Sequence, residues 1–129
     1  MRQPPPGVDL HHWRAPGSIW RMPKDGMISY EPVDPDGLVI ATLSGELDLD
    51  RADDVRDSLA RAATIPGCRY LRVDASGLGF IDSYGLGALV SARNSAAAEG
   101  VTFTLAEPSP PVRKAVEVTG LADVFGLPR

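Results

Sequence analysis

From Met27 onward, short apolar runs alternate with stretches whose apolar residues recur every three or four positions. That change of period predicts strands and helices in turn. Residues 27–30 read as a short strand, broken by Pro32, Pro35 and the turn pair Asp36-Gly37. Residues 38–43 are compact, apolar and rich in β-formers, and read as a strand that stops at Ser44-Gly45. A helix follows, capped by Asp48 or Asp50. Ala52, Val55, Leu59 and Ala62 form its apolar stripe, and Pro66-Gly67 ends it. Asp53 and Asp54 early in this helix and Arg61 late in it suit its dipole. Residues 70–73 form the next strand, ending at Asp74, and residues 75–82 read as a loop. The second helix spans about residues 84–98, with Leu86, Leu89, Val90 and Ala97 facing inward. Gly87, Ala88, Ser91, Ala92 and Ser95 make a neighbouring face of small side chains, and Gly100 is the stop. Residues 101–105 alternate as a strand. Ser109-Pro110-Pro111 opens a last helix: serine caps, and proline at the first position loses no needed N–H. Val112, Ala115, Val116 and Thr119 turn inward before Gly120 stops it, and residues 121–127 are a short apolar coda.

The order β-β-α-β-α-β-α implies an α/β fold with a mixed, mostly parallel sheet and right-handed crossovers. The first two strands, close in sequence, are expected to pair antiparallel. The length of 129 residues suits one domain and its core. That domain is read as residues 27–129. Residues 1–26 differ from it: they hold five of the twelve prolines, both histidines and both tryptophans. Pro4-Pro5-Pro6 favours an extended polyproline II path. We expect a tail, flexible or draped over the domain, in which Trp13 and Trp20 dock onto the domain or a partner, or are incidental.

Composition narrows the function. Apolar residues make up 43% of the chain and charged residues 23%, as in a soluble globular protein. A net charge of −4 argues against direct nucleic-acid binding and against an acidic membrane surface. The lone Cys68 permits no internal disulfide, which fits a reducing compartment. No apolar run approaches the roughly 18 residues of a membrane span, and Met1-Arg-Gln-Pro-Pro-Pro lacks a signal-peptide stretch. The expected location is cytoplasmic.

Catalytic and cofactor patterns are missing. No Gly-x-Ser-x-Gly elbow surrounds Ser83, and His11 and His12 lie in the tail, so no enzyme is expected and no catalytic residue is named. A dinucleotide fingerprint fails where Asp82 or Val90 stands in place of a third glycine. His11, His12 and Cys68 are too few for a metal site.

The most informative stretch is Asp74 to Val90. Its acid-serine pair, Asp82-Ser83, sits where the second helix must begin. A helix N-terminus favours an anion, so a phosphate added to Ser83 would be tolerated there. Ser83 is therefore a candidate switch, or else a plain helix cap. Asp82 orients the hydroxyl, touches a partner or serves a local turn. Asp48 caps its helix or borders a partner surface. Gly85 and Gly87 weaken the helix by up to about 1 kcal/mol each. Either another backbone approaches them, or they pack tightly on the protein's own sheet.

These residues carry a resemblance. Gly45-Glu46-Leu47-Asp48 after a strand resembles the first signature of STAS domains, and Asp74-x-Ser-Gly-x-x-Phe-Ile-Asp-Ser-x-Gly-Leu-Gly-Ala-Leu resembles the second. The closing Thr119-Gly120-Leu121 is also similar, and the likeness covers about residues 27–127. Its size resembles the bacterial anti-sigma-factor antagonists. The resemblance implies a STAS fold with helices mainly on one face of the sheet. It also implies partner switching. The unphosphorylated protein would bind an anti-sigma factor that has an ATP-binding serine kinase domain, and so free the sigma factor. Phosphorylation of Ser83 would abolish binding, and a metal-dependent serine phosphatase would restore it. Asp48, Asp82, Tyr84, Gly85, Gly87, Ala88 and Ser91 are the expected partner-binding residues, and no cofactor is implied. Tyr84 departs from the small residue usual after the phosphoacceptor, and could anchor a partner. The competing expectation is a phosphorylation-independent STAS adaptor in a signalling or transport assembly.

Overall fold

The computed structural model describes residues 28–31 and 33–127. The expected tail, with Trp13 and Trp20, lies outside the described residues. Seven elements follow one another: β1 (Ile28–Tyr30), β2 (Leu38–Leu47), α1 (Leu49–Ala62), β3 (Tyr70–Ile81), α2 (Ser83–Ala98), β4 (Thr102–Ala106) and α3 (Pro110–Thr119). This is the order read from the sequence.

The strands lie side by side in the order β1-β2-β3-β4. β1 pairs antiparallel with β2, and β2, β3 and β4 are parallel. The strand order never reverses. Two right-handed crossovers stepping the same way across a sheet must leave their helices on the same side. Burial agrees. The register aligns Val39 with Leu71 and Phe103, and Ala41 with Val73 and Leu105, and all six are buried. Against this face pack Val55 and Leu59 of α1, Leu89 and Ala92 of α2, and Val112 and Val116 of α3. The alternate rows, Ile40-Arg72-Thr104 and Thr42-Asp74-Ala106, stay half-buried or exposed.

The largest departure from the sequence reading lies at the carboxyl ends of β2 and β3. Residues 75–81 are strand rather than loop, only Asp82 separates them from α2, and β2 does not stop at Ser44-Gly45. The two strands stay paired to Leu47 and Ile81. Their register slips between Thr42 and Ser44 and again between Gly45 and Glu46, which is the mark of β-bulges. Gly45 lies inside the strand at φ +94, a conformation closed to most other residues. Glycines that look like loop punctuation are here the residues that let a bulged strand continue.

Smaller corrections concern the helices. Ala96, not Ala97, completes the buried side of α2, and Ala97 is exposed. Thr119 is exposed too, its hydroxyl donating to the Ala115 carbonyl at 2.8 Å. Asp48 and Ser109 hold the N-cap positions of α1 and α3, but neither side chain makes a capping hydrogen bond. Gly100 and Gly120 take the left-handed conformation expected of helix stops.

Candidate functional site

The bulged ends of β2 and β3 deliver the chain into α1 and α2 at neighbouring points. Asp82 joins them. It is the N-cap of α2, and its Oδ1 accepts from the Gly85 N–H at 2.9 Å. Its Oδ2 accepts from the Leu49 N–H, the first residue of α1, at 3.1 Å. Its own N–H donates to the Leu47 carbonyl at 3.2 Å. One carboxylate thus answers orphan N–H groups at the start of two helices, where the helix dipoles favour a negative charge. The sequence suggested a local role or a partner contact for Asp82. The described role is structural and spans two elements.

Gly85 makes this closeness feasible. A Cβ there would lie 2.5 Å from the Leu47 carbonyl oxygen and 2.9 Å from Ile81 Cγ1. Tight packing on the protein's own sheet therefore accounts for Gly85. Gly87 is different: a Cβ there would meet nothing within 4 Å.

With Asp82 as the cap, Ser83 becomes the first residue of α2 and is exposed. Tyr84 follows, 58% exposed, and Leu49 across the junction is 59% exposed. Gly87 and Ser91 continue the outward side of α2, whereas Ala88 and Gly85 are buried. Asp48 receives the Arg51 and Ala52 N–H groups on its backbone carbonyl. Its carboxylate sits 3.7 Å from the Arg51 guanidinium, and its Oδ1 is buried without a hydrogen bond. Leu49 was missed by the sequence reading. Its signal was an apolar side chain between two aspartates at the first position of a helix, where no preceding turn covers it.

The arrangement offers an unencumbered hydroxyl at the positive end of a 16-residue helix, with the exposed side chains of Tyr84 next in sequence and Leu49 across the junction. Cys68 belongs to the opposite end of the sheet, just before β3, and burial pushes its thiol up, which makes it a poorer nucleophile. No helix among the described residues is long and apolar enough to cross a membrane.

Comparison with known proteins agrees with this fold. Residues 30–128 match the STAS domain model. The chain is 31% identical over 91 residues to the anti-sigma F factor antagonist of Paenibacillus polymyxa, covering 70% of this chain and 78% of that relative. An anti-sigma factor antagonist from Mycobacterium paratuberculosis superposes with a TM-score of 0.65 at 25% identity, covering 84% of this chain and 89% of that one. The Bacillus cell fate determinant SpoIIAA in its phosphorylated form does so with a TM-score of 0.55 at 28% identity, covering 74% and 86%. The chain belongs to the STAS domain family.

Proposed function

We propose that this chain is an anti-sigma-factor antagonist, that its partner surface is the paired start of α1 and α2, and that Ser83 is its switch. Unphosphorylated, it binds an anti-sigma factor with an ATP-binding serine kinase domain and releases the sigma factor in the cytoplasm. Phosphorylation of Ser83 by that kinase ends the interaction, and a metal-dependent serine phosphatase restores it. The observation that carries this reading is the division of labour between neighbours: Asp82 supplies the cap, so Ser83 is exposed and free of that duty. The named activity of the Paenibacillus relative and the phosphorylated form of SpoIIAA support it.

The physics of the site fits. A phosphate brings about −1.5 to −2 charges and three acceptor oxygens. At the first position of α2 it is compatible with the helix. It would stand next to the Asp82 carboxylate, which cannot swing away without giving up two helix N–H bonds. The added charge therefore stays at the surface and alters docking by bulk and repulsion. Tyr84 and Leu49 are the apolar anchors of that docking. Gly87 and Ser91 let a partner lie close to α2.

The test is intact-mass and peptide mass spectrometry after incubation with ATP and candidate anti-sigma kinases, with Ser83→Ala as control. One phosphate on Ser83, absent in the control, is expected. Ser83→Ala should stay permanently able to bind, and Ser83→Asp should bind poorly. Stable binding without phosphate, or both variants binding like the wild type, would instead make the chain an unswitched adaptor.

A further inference from the structure

The sheet face turned away from the helices is long and carries an aromatic at each end. The register sets Leu38, Tyr70 and Thr102 in one row, Ile40, Arg72 and Thr104 in the next, and Thr42, Asp74 and Ala106 in a third. Beyond the bulges Glu46 pairs with Phe80 while their neighbours Leu47 and Ile81 are buried, so Phe80 continues the same face. Tyr70 and Phe80 are each 46% exposed. At the β4 edge the C-terminal turn comes close, since a side chain at Gly126 would lie 3.2 Å from Thr104 Cγ2.

The segment that leads into this sheet is residues 1–27, ending directly before the edge strand β1. Extended, it reaches about 90 Å, whereas four strands span about 15 Å. It can cross the sheet and follow it from Tyr70 to Phe80. It carries Val8, Leu10, Trp13, Ile19 and Trp20. It also carries four basic residues, Arg2, Arg14, Arg21 and Lys24, against Asp9 and Asp25. That is a net +2 in a chain of −4, which leaves −6 on residues 28–129. Opposite net charge favours contact of the segment with its own domain. Covalent attachment adds to this, since a tethered segment can reach an effective concentration on the order of millimolar.

We propose that residues 1–27 bind back across the open sheet face, with Trp13 and Trp20 seated on the strip between Tyr70 and Phe80. The strap would cover the two exposed aromatics and the mixed strip between them, and it would enter from the side of Glu46 and Phe80, since Ile28 lies opposite Leu43.

Trp13 and Trp20 are the protein's two tryptophans, so the fluorescence of the full chain reads this segment directly. The expected emission is blue-shifted, protected from acrylamide and independent of protein concentration. Tyr70→Ser with Phe80→Ser should shift it to the red and raise quenching, with the circular dichroism of the domain unchanged. A nitroxide attached through Thr102→Cys, in a Cys68→Ser background, should quench the tryptophan seated at the Tyr70 end and gives the answer even where the double variant folds poorly. Emission of fully solvated indole in the wild type overturns the proposal. So does protection that survives the double variant, or protection that grows with concentration and so belongs to a second copy.

Discussion

Asp82 is the residue on which the site turns, because its carboxylate holds two helices rather than one. A single cap is worth roughly 1 kcal/mol. Asp82→Ala removes two charge-assisted bonds and leaves the Leu49 and Gly85 N–H groups without that partner, so a loss of about 2 kcal/mol is expected in urea denaturation. Asp82→Asn keeps one acceptor oxygen and should lose less. The two glycines beside it separate cleanly. Gly85→Ala forces a methyl group to 2.5 Å from a backbone carbonyl, and should cost about 1–3 kcal/mol or more. Gly87→Ala meets open space and should gain up to about 1 kcal/mol through helix propensity. Chemical denaturation of the pair checks both signs. Leu49→Ala and Tyr84→Ala should move stability by about 0.5 kcal/mol or less. On the proposed function, each should weaken anti-sigma factor binding by more than about 1 kcal/mol, read by titration calorimetry.

At the scale of elements, β1 shows how a marginal strand is held. It has three residues, at the edge of the sheet. Its Tyr30 reaches α1, where the hydroxyl donates to the Ser58 carbonyl at 2.6 Å and meets the Ser58 hydroxyl. Burial pushes the Tyr30 phenol up to about 12, against the smaller opposing effects of the Ser58 hydrogen bond and the Arg61 charge. The sign follows from linkage. A folded value above the unfolded one, near 10, means the contribution is complete below pH 10 and is lost as pH rises to about 12. That difference corresponds to about 2–3 kcal/mol. Thermal melts should fall across that window, and Tyr30→Phe should flatten the fall while lowering stability at neutral pH. β2 and β3 teach a different lesson. Their apolar cores were legible from composition and period, yet their bulged ends were not, because Ser44-Gly45 and Ser76-Gly77 have the composition of turns. Only pairing with the neighbouring strand turns those glycines into strand residues.

At the scale of the molecule, one sheet face carries the core and the C-terminal coda closes it. Phe125 is fully buried, its ring 6.3 Å from that of Phe103, and its carbonyl accepts the Leu105 N–H at 3.0 Å. Phe125→Ala should therefore cost about 3–5 kcal/mol, although it lies in a segment with no helix or strand of its own. Calorimetry would show this as a lower melting temperature for the whole domain. Sequence alone determined the number, kind and order of the elements and the apolar stripe of α1. It also placed an acid-serine pair at a helix start. These depend on period, on capping chemistry and on residues a few positions apart. The tertiary structure decided the rest. It put the strands in unreversed order, so that the helices share one face. It joined Leu49 to Asp82 across 33 positions, so that one carboxylate holds the starts of two helices. It set Gly85 against Leu47 and left Gly87 in the open. Each of these depends on the distance between residues far apart in the chain, which no local pattern encodes.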